Sequence, residues 1–438
     1  MMGSINVKDI KTIFLVCIIV LSIVGLVIIS GNPHELEIVS ESRLTPKQGD
    51  YNVDVDYFLV DDFSISGNHI YLCGHKTHPT KLFLAKFSDN GTMEWYKIFN
   101  ESYGYTYNQY AALITVDSSG NIYFLTTRYV LLNDTGMLVL LKLAPNSTLL
   151  WEKSLGSTHE FRYFYTIAQM NSNAILIVAN SYFHNLTLLK LNLDGVTIWT
   201  HTESLGNTTV IVTTKTLVVN STIYTLVAKK DTPTPPSGKN LLLFKYSSEG
   251  QRLSYKTLVE RYSTAIDLKS FKYSAADNRL VFLFSNNTAY KMTLSGQIEH
   301  KGVLPSVDFY YYQDIAIDST TGDIYAVRAM AYSVDIVKLD KSLNYLYTFS
   351  LSFDKKNNTI SLGYNHALFV RNDYLYLAIS IGRLNYHIWA YFLKIRECIS
   401  PTWLSLTIAL TGALIASTVL LFYNVKKNVL GKNRHKPS

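Results

Sequence analysis

The chain has 438 residues, of which 48% are hydrophobic, 13% aromatic and 17% charged, with three cysteines and 32 tyrosines. That apolar and aromatic content excludes a disordered chain, and three cysteines exclude a disulfide-built scaffold. The net charge of +7 is concentrated at the ends: Lys8, Asp9 and Lys11 carry +1, and Lys426, Lys427, Lys432, Arg434 and Lys436 carry +5. The long middle region is therefore nearly neutral, and no nucleic-acid partner is expected.

Residues 1–11 are a short tail. Residues 12–30 (TIFLVCIIVLSIVGLVIIS) hold no charge over 19 positions, enough at about 1.5 Å per residue to cross a hydrocarbon core. The alternative is a cleaved signal peptide, but the apolar stretch is long for one and Ser30-Gly31 is a poor cleavage point. Residues 403–423 (WLSLTIALTGALIASTVLLFY) are also uncharged, with Trp403 at one end and Phe422 and Tyr423 at the other, where interfacial aromatics sit. Basic residues flank each run on its chain-terminal side. The positive-inside rule then predicts a two-pass plasma-membrane protein, with tails 1–11 and 424–438 cytoplasmic and residues 31–402 extracellular.

Residues 31–402 show short β-branched and aromatic runs separated by Gly, Asn, Asp and Ser turns. An apolar-x-Lys-apolar element recurs at Lys86, Lys142, Lys190, Lys245, Lys291, Lys338 and Lys394, at spacings of 56, 48, 55, 46, 47 and 56. Turn-strand elements precede it, such as SSGNIYFL at 118–125, and trailing strands begin near Trp95, Trp151, Trp199 and Tyr255. Seven units of about four strands each predict an all-β fold, a seven-bladed β-propeller flanked by two transmembrane α-helices. A β-solenoid, the alternative, has shorter periods. The sequence from Val116 through Tyr123 (VDSSGNIY) and that from Leu189 to Trp199 (LKLNLDGVTIW) resemble the two halves of the SBBP-type and quinoprotein-like propeller repeats. The resemblance covers the outer region and weakens in blades 5 to 7. It implies the fold and little about activity.

The seventh unit ends after its third strand, so residues 35–40 are expected to close blade 7 as its fourth. Alternating strand directions then place both membrane segments on one face of the disc. The linkers, residues 31–34 and 397–402, are too short to exceed about 20 Å. The opposite, outward face receives the connections between blades, which are rich in aromatics: Tyr103, Tyr105, Tyr107 and Tyr110 before blade 2; Phe161, Tyr163, Phe164 and Tyr165 before blade 3; Phe309, Tyr310, Tyr311 and Tyr312 before blade 6; Tyr364 and His366 before blade 7. These tyrosines, with Phe164, are the candidate ligand-binding residues. Their flat rings and polar tips suit a protein or glycan. The structural alternative is that they fill wedges between blades. Lys230 to Lys239 reads as an exposed, protease-sensitive loop.

Asn-x-Ser/Thr acceptors occur at Asn90, Asn100, Asn133, Asn146, Asn185, Asn207, Asn220, Asn286 and Asn357, all between the two spans, and predict a glycoprotein. Cys73 is expected at the outward end of a second strand and Cys398 at the other face, too far apart for a disulfide, so both read as free thiols; Cys17 lies in the first span. His75, His78 and His387 read as polar loop residues, since a metal site needs further ligands. The DNG, LDG and SEG triplets at 89–91, 193–195 and 248–250 read as hairpin turns. No metal site, cofactor or catalytic residue is assigned, because no HExxH, GxxxxGK[ST], GxSxG, CxxC or adjacent-cysteine motif occurs. The expected function is a cell-surface binding or adhesion module for protein or glycan, compatible with an archaeal envelope. The alternatives are an envelope scaffold that organises neighbouring membrane proteins, and a lyase or hydrolase with acids at the channel mouth.

Overall fold

The computed structural model describes residues 34–43, 58–77, 80–99, 112–130, 135–157, 161–181, 184–206, 209–231, 238–263, 266–306, 310–353, 358–362, 367–383 and 387–399. Nearly all belong to one unit, Ile38–Arg396; the other, Met1–Glu37 with Glu397–Ser438, lies almost wholly outside them. Among the described residues there is no helix, and none long and apolar enough to cross a membrane. The segments 12–30 and 403–423 fall outside the described residues.

After β1 (His34–Arg43), the strands gather into seven sheets arranged as the blades of a propeller. Blade 1 is β2 (Phe58–Ser66), β3 (His69–Thr77), β4 (Thr80–Ser88) and β5 (Met93–Ile98). Blade 2 is β6 (Ala112–Val116), β7 (Ile122–Val130), β8 (Thr135–Leu143) and β9 (Leu149–Ser157). Blade 3 is β10 (Phe161–Asn171), β11 (Ala174–Ser181), β12 (Asn185–Asn192) and β13 (Thr197–Ser204). Blade 4 is β14 (Thr209–Val219), β15 (Thr222–Asp231), β16 (Lys239–Tyr246) and β17 (Arg252–Tyr262). Blade 5 is β18 (Leu268–Ser274), β19 (Arg279–Phe284), β20 (Thr288–Thr293) and β21 (Ile298–Val303). Blade 6 is β22 (Asp314–Ile317), β23 (Ile324–Ala329), β24 (Ser333–Leu339) and β25 (Tyr345–Ser352). Blade 7 has a divided inner strand, β26 (Asn358–Leu362) and β27 (Leu368–Arg371), both paired with β28 (Tyr374–Arg383), followed by β29 (His387–Ile399) and finally β1. The strand expected over 35–40 is thus β1, at the outer edge of the last blade.

Inner strands of successive blades are neighbours around the ring, and β27 and β28 return it to β22 and β2. The core is accordingly a series of wedges between blades. Ala112, Ile114 and Phe124 of blade 2 pack with Cys73, Leu82 and Leu84 of blade 1, and Tyr376 and Ala378 of blade 7 pack with Phe63, Leu72 and Phe83 across the closure. Middle strands are buried on both faces and read as apolar runs. Outermost strands alternate, as β13 does.

The repeated motif cross-links neighbouring blades. The second-strand tyrosine, third-strand lysine and fourth-strand tryptophan are direct cross-strand partners, as in Tyr123, Lys142 and Trp151. The ammonium lies over the tyrosine ring, 5.3 Å from its centroid for Lys142 and Tyr123. It then donates to the turn between strands three and four of the next blade: Lys142 Nζ to the Leu193 carbonyl at 2.9 Å, Lys190 Nζ to that of Ser248 at 2.8 Å, and Lys291 Nζ to that of Lys341. Trp199 Nε1 donates to the same Ser248 carbonyl at 3.1 Å. In blade 7 the series closes the ring, because Lys394 Nζ reaches Asp89 Oδ2 of blade 1 at 2.8 Å and Tyr376 Oη donates to Asp89 Oδ1 at 2.7 Å. These bonds hold the Asp89 carboxyl below its ordinary range against the opposing effect of partial burial.

The three triplets are hairpin turns, with Gly91, Gly195 and Gly250 at φ of 86°, 80° and 78°. A Cβ on Gly250 would lie 2.8 Å from the Trp199 ring. The signature aspartate forms the preceding turn. Asp117 Oδ1 accepts the Ser119 and Asn121 N–H groups, both at 2.9 Å, and Oδ2 accepts Tyr123 Oη at 3.2 Å.

Candidate functional site

In each four-strand blade the antiparallel order sends strand one down the axis, strand two up, strand three down and strand four up. Turns one-to-two and three-to-four form a lower edge. Turns two-to-three and the connections between blades form an upper edge.

The expected aromatic surface divides on inspection. Tyr103, Tyr105, Tyr107, Tyr110 and Tyr364 lie outside the described residues, and Tyr364 falls between β26 and β27, within blade 7 and not before it. Tyr163, Phe164 and Tyr165 were expected in a connection, but they are part of β10, an innermost strand, with Tyr165 at a bulge between Phe164 and Thr166. Tyr312 is fully buried: its Oη donates to the Pro305 carbonyl at 3.1 Å, and the Arg328 guanidinium lies 4.8 Å from its ring centroid. Tyr312 therefore fills a wedge and is no surface residue. Its neighbours differ, Tyr310 being half-buried and Tyr311 55% exposed. Tyr332, which the sequence reading did not single out, is 41% exposed in the β23–β24 turn, and Val303, at the end of β21, is 69% exposed. Tyr311, Tyr332 and Val303 all belong to the upper edge.

The axial channel contains a cavity of about 40 Å³, lined by Asp62, Leu113, Thr166, Ile167, Lys215, Thr216, Leu217, Ser270, Phe271 and Lys272. That is room for water molecules, not for a drug-sized ligand. Bulges in β2, β10 and β18 at Asp61, Tyr165 and Lys269 put Asp62, Thr166 and Ser270 in equivalent positions, each directly after its bulge. Asp62 Oδ1 accepts the Phe63 N–H at 3.0 Å, and its Oδ2 accepts the Ile114 N–H of the next blade at 3.1 Å. Asp314 repeats the arrangement: Oδ1 accepts Ile315 N–H at 2.8 Å and Ser270 Oγ at 2.6 Å, and Oδ2 accepts Ala367 N–H at 2.9 Å. Lys272 Nζ lies 3.4 Å from Asp314. Both carboxylates thus bind blade to blade. Lys215 differs, since among the described residues no group lies within ion-pair distance of its ammonium. Burial pulls its pKa down to about 8, with the Asp314 and Asp62 charges opposing the fall and those of Lys272 and Lys269 adding to it.

Beside the channel, Asp61 is fully buried and lies 3.0 Å from His75 Nδ1. Burial raises the Asp61 pKa. Burial alone would lower that of His75, but the Asp61 hydrogen bond and charge raise it. His75 is therefore a strand residue with a partner and not the loop histidine expected. His78 and the side chain of His387 lie outside the described residues. Among the described residues no three His, Cys, Asp or Glu side chains converge as a metal site would require. Cys73 lies mid-strand in β3, not at its end, and is a buried free thiol. Burial and the Asp62 and Asp61 charges push its pKa up, the reverse of a reactive thiolate. The Cys398 side chain lies outside the described residues.

Of the nine acceptor asparagines, Asn90, Asn146, Asn220 and Asn286 are exposed in turns and Asn185 is half-buried at the start of β12; Asn100, Asn133, Asn207 and Asn357 lie outside the described residues. The loop ends Lys230, Asp231 and Lys239 belong to strands, and residues 232–237 lie outside.

These features define an all-β, seven-bladed propeller. No family model and no curated protein matches the chain. It is similar in structure to the RRP9 WD40 repeats, with a TM-score of 0.51 and 10% sequence identity, over 83% of this chain and 100% of that one. It also matches the β-propeller domain of the Trilobed protease from Pyrococcus furiosus, which has an open velcro topology, with a TM-score of 0.45 and 10% identity over 77% of this chain and 94% of that one. The first likeness establishes the fold alone.

Proposed function

We propose that this protein is a membrane-tethered, extracellular binding propeller that captures a protein or glycan at its upper edge. The observation that carries this reading is the division of labour between the edges. The chain leaves the ring at the lower end of β29, while exposed Tyr311 and Tyr332 stand on the upper edge. Support for the tether comes from the uncharged runs 12–30 and 403–423 and their basic flanks. The exposed acceptor Asn286, in the upper-edge turn between β19 and β20, suits an extracellular glycoprotein. The channel acids are taken up by backbone N–H donors, which favours binding over catalysis.

The test is capture of surface proteins and arrayed glycans by the full chain in detergent. Tyr311→Ala and Tyr332→Ala should each weaken binding by about tenfold, as for an aromatic anchor. Undiminished capture by both variants would remove the upper edge as the recognition surface.

A further inference from the structure

The outermost strands carry an apolar feature that the ring does not use. Of the thirteen exposed large apolar side chains among the described residues, eight lie within a few positions of the turn between strands three and four. Leu149 and Leu150 open β9, Val196 and Ile198 flank the start of β13, and Leu253 opens β17. Leu346 takes the same place in blade 6, and each of these six is at least 43% exposed. Single exposed apolar residues are ordinary, but one position repeated around a disc is not. Blade 5 interrupts the row with the Arg279–Glu299 ion pair.

All these positions are on the lower edge, where the chain leaves the ring. Arg396 of β29 is opposite Tyr374, directly after the lower turn at Asn372 and Asp373. Lys394 is bonded to Asp89 in a three-to-four turn, which puts this part of β29 level with the apolar row. Only residues 400–402 separate β29 from the uncharged segment 403–423, and only 31–33 separate segment 12–30 from β1. Three residues span at most about 10 Å.

We propose that the lower edge is a lipid-facing surface, with the apolar row of blades 2, 3, 4 and 6 resting in the interface of the bilayer that the two segments cross. This rests on the membrane-tethered reading above. Leu149, Leu150, Val196, Ile198, Leu253 and Leu346 meet the acyl boundary.

The full chain, with Cys17→Ser and Cys398→Ser, is reconstituted in phosphatidylcholine vesicles and carries one environment-sensitive fluorophore on Leu150→Cys, Ile198→Cys or, on the upper edge, Asn286→Cys. Thermal unfolding confirms that each variant folds. Nitroxide-bearing lipid should quench positions 150 and 198 roughly twofold or more and leave 286 unchanged, as interfacial depth requires. Vesicle flotation without quenching at 150 and 198 would overturn the proposal while leaving the tether intact. Shielding of those labels from water without lipid quenching would overturn it in favour of a protein on the row, a second copy of this chain included. Failure to float would overturn the tethered reading and the proposal together.

Discussion

Replacing Lys215 by methionine isolates the cost of holding inside the ring a cation with no ion-pair partner among the described residues. In the unfolded chain its amine titrates near 10.5, and in the channel at about 8. At about 1.36 kcal/mol per pH unit, charging it costs the folded state roughly 3 kcal/mol. Water in the channel screens that figure to about 1–2 kcal/mol. The cost is complete below pH 8, where both states are protonated. As pH rises from 8 towards 10.5 the folded protein sheds its proton ahead of the unfolded chain, and the cost fades. Lys215→Met, similar in length and apolar, should therefore be more stable than the parent by about 1–2 kcal/mol at pH 7, and its advantage should approach zero by pH 10. Urea unfolding of the full chain in detergent, followed by tryptophan fluorescence at pH 7, 8, 9 and 10, measures the difference and cancels groups common to both proteins. A variant no more stable at pH 7, or an advantage unchanged at pH 10, would refute a desolvated Lys215.

Lys394→Met removes the bond to Asp89 that closes the ring and should cost about 1 kcal/mol, with faster hydrogen exchange in β1 and β29 than in blades 3 and 4. Because the Asp89 pKa is lowered in the fold, its contribution is present above the ordinary carboxylate range and is lost as pH falls through its folded value. The Lys394→Met deficit should thus shrink in acid, which unfolding curves at pH 7 and pH 3 would show. Gly250→Ala meets both a positive φ and the Trp199 ring, whereas Gly67→Ala at φ 56° meets open space. The first should cost roughly 2–4 kcal/mol and the second about 1 kcal/mol in the same unfolding assay. Peptide mass mapping of the protein from its native membrane should find a glycan at Asn286, exposed on the upper edge, and none at Asn90, Asn146 or Asn220, whose turns lie on the lower edge.

The blade repeat was legible because its signature residues interact locally and recur. Tyr123, Lys142 and Trp151 are adjacent in one sheet, and their bonds to the next blade make the spacing regular. The closing strand was legible from a shortage, since blade 7 ends after β29 and only β1 remained to cover it. The channel was not legible. Asp62, Lys215, Ser270 and Asp314 come from four blades with no shared local motif, and the bulges directly before Asp62 and Ser270 carry no distinct composition. Nor could composition separate Tyr311 from Tyr312, which are consecutive residues on a turn into β22. One faces solvent, and the other is enclosed by Arg328 and Pro305.

The central claim is that a ring tethered on one edge presents the other to the exterior. The most direct measurement is labelling of Asn286→Cys by a membrane-impermeant maleimide in intact cells that make the full chain, beside Leu430→Cys in the basic tail. The account predicts that position 286 labels in intact cells and position 430 only after permeabilisation. Labelling of 430 in intact cells, or of 286 only after lysis, would contradict it.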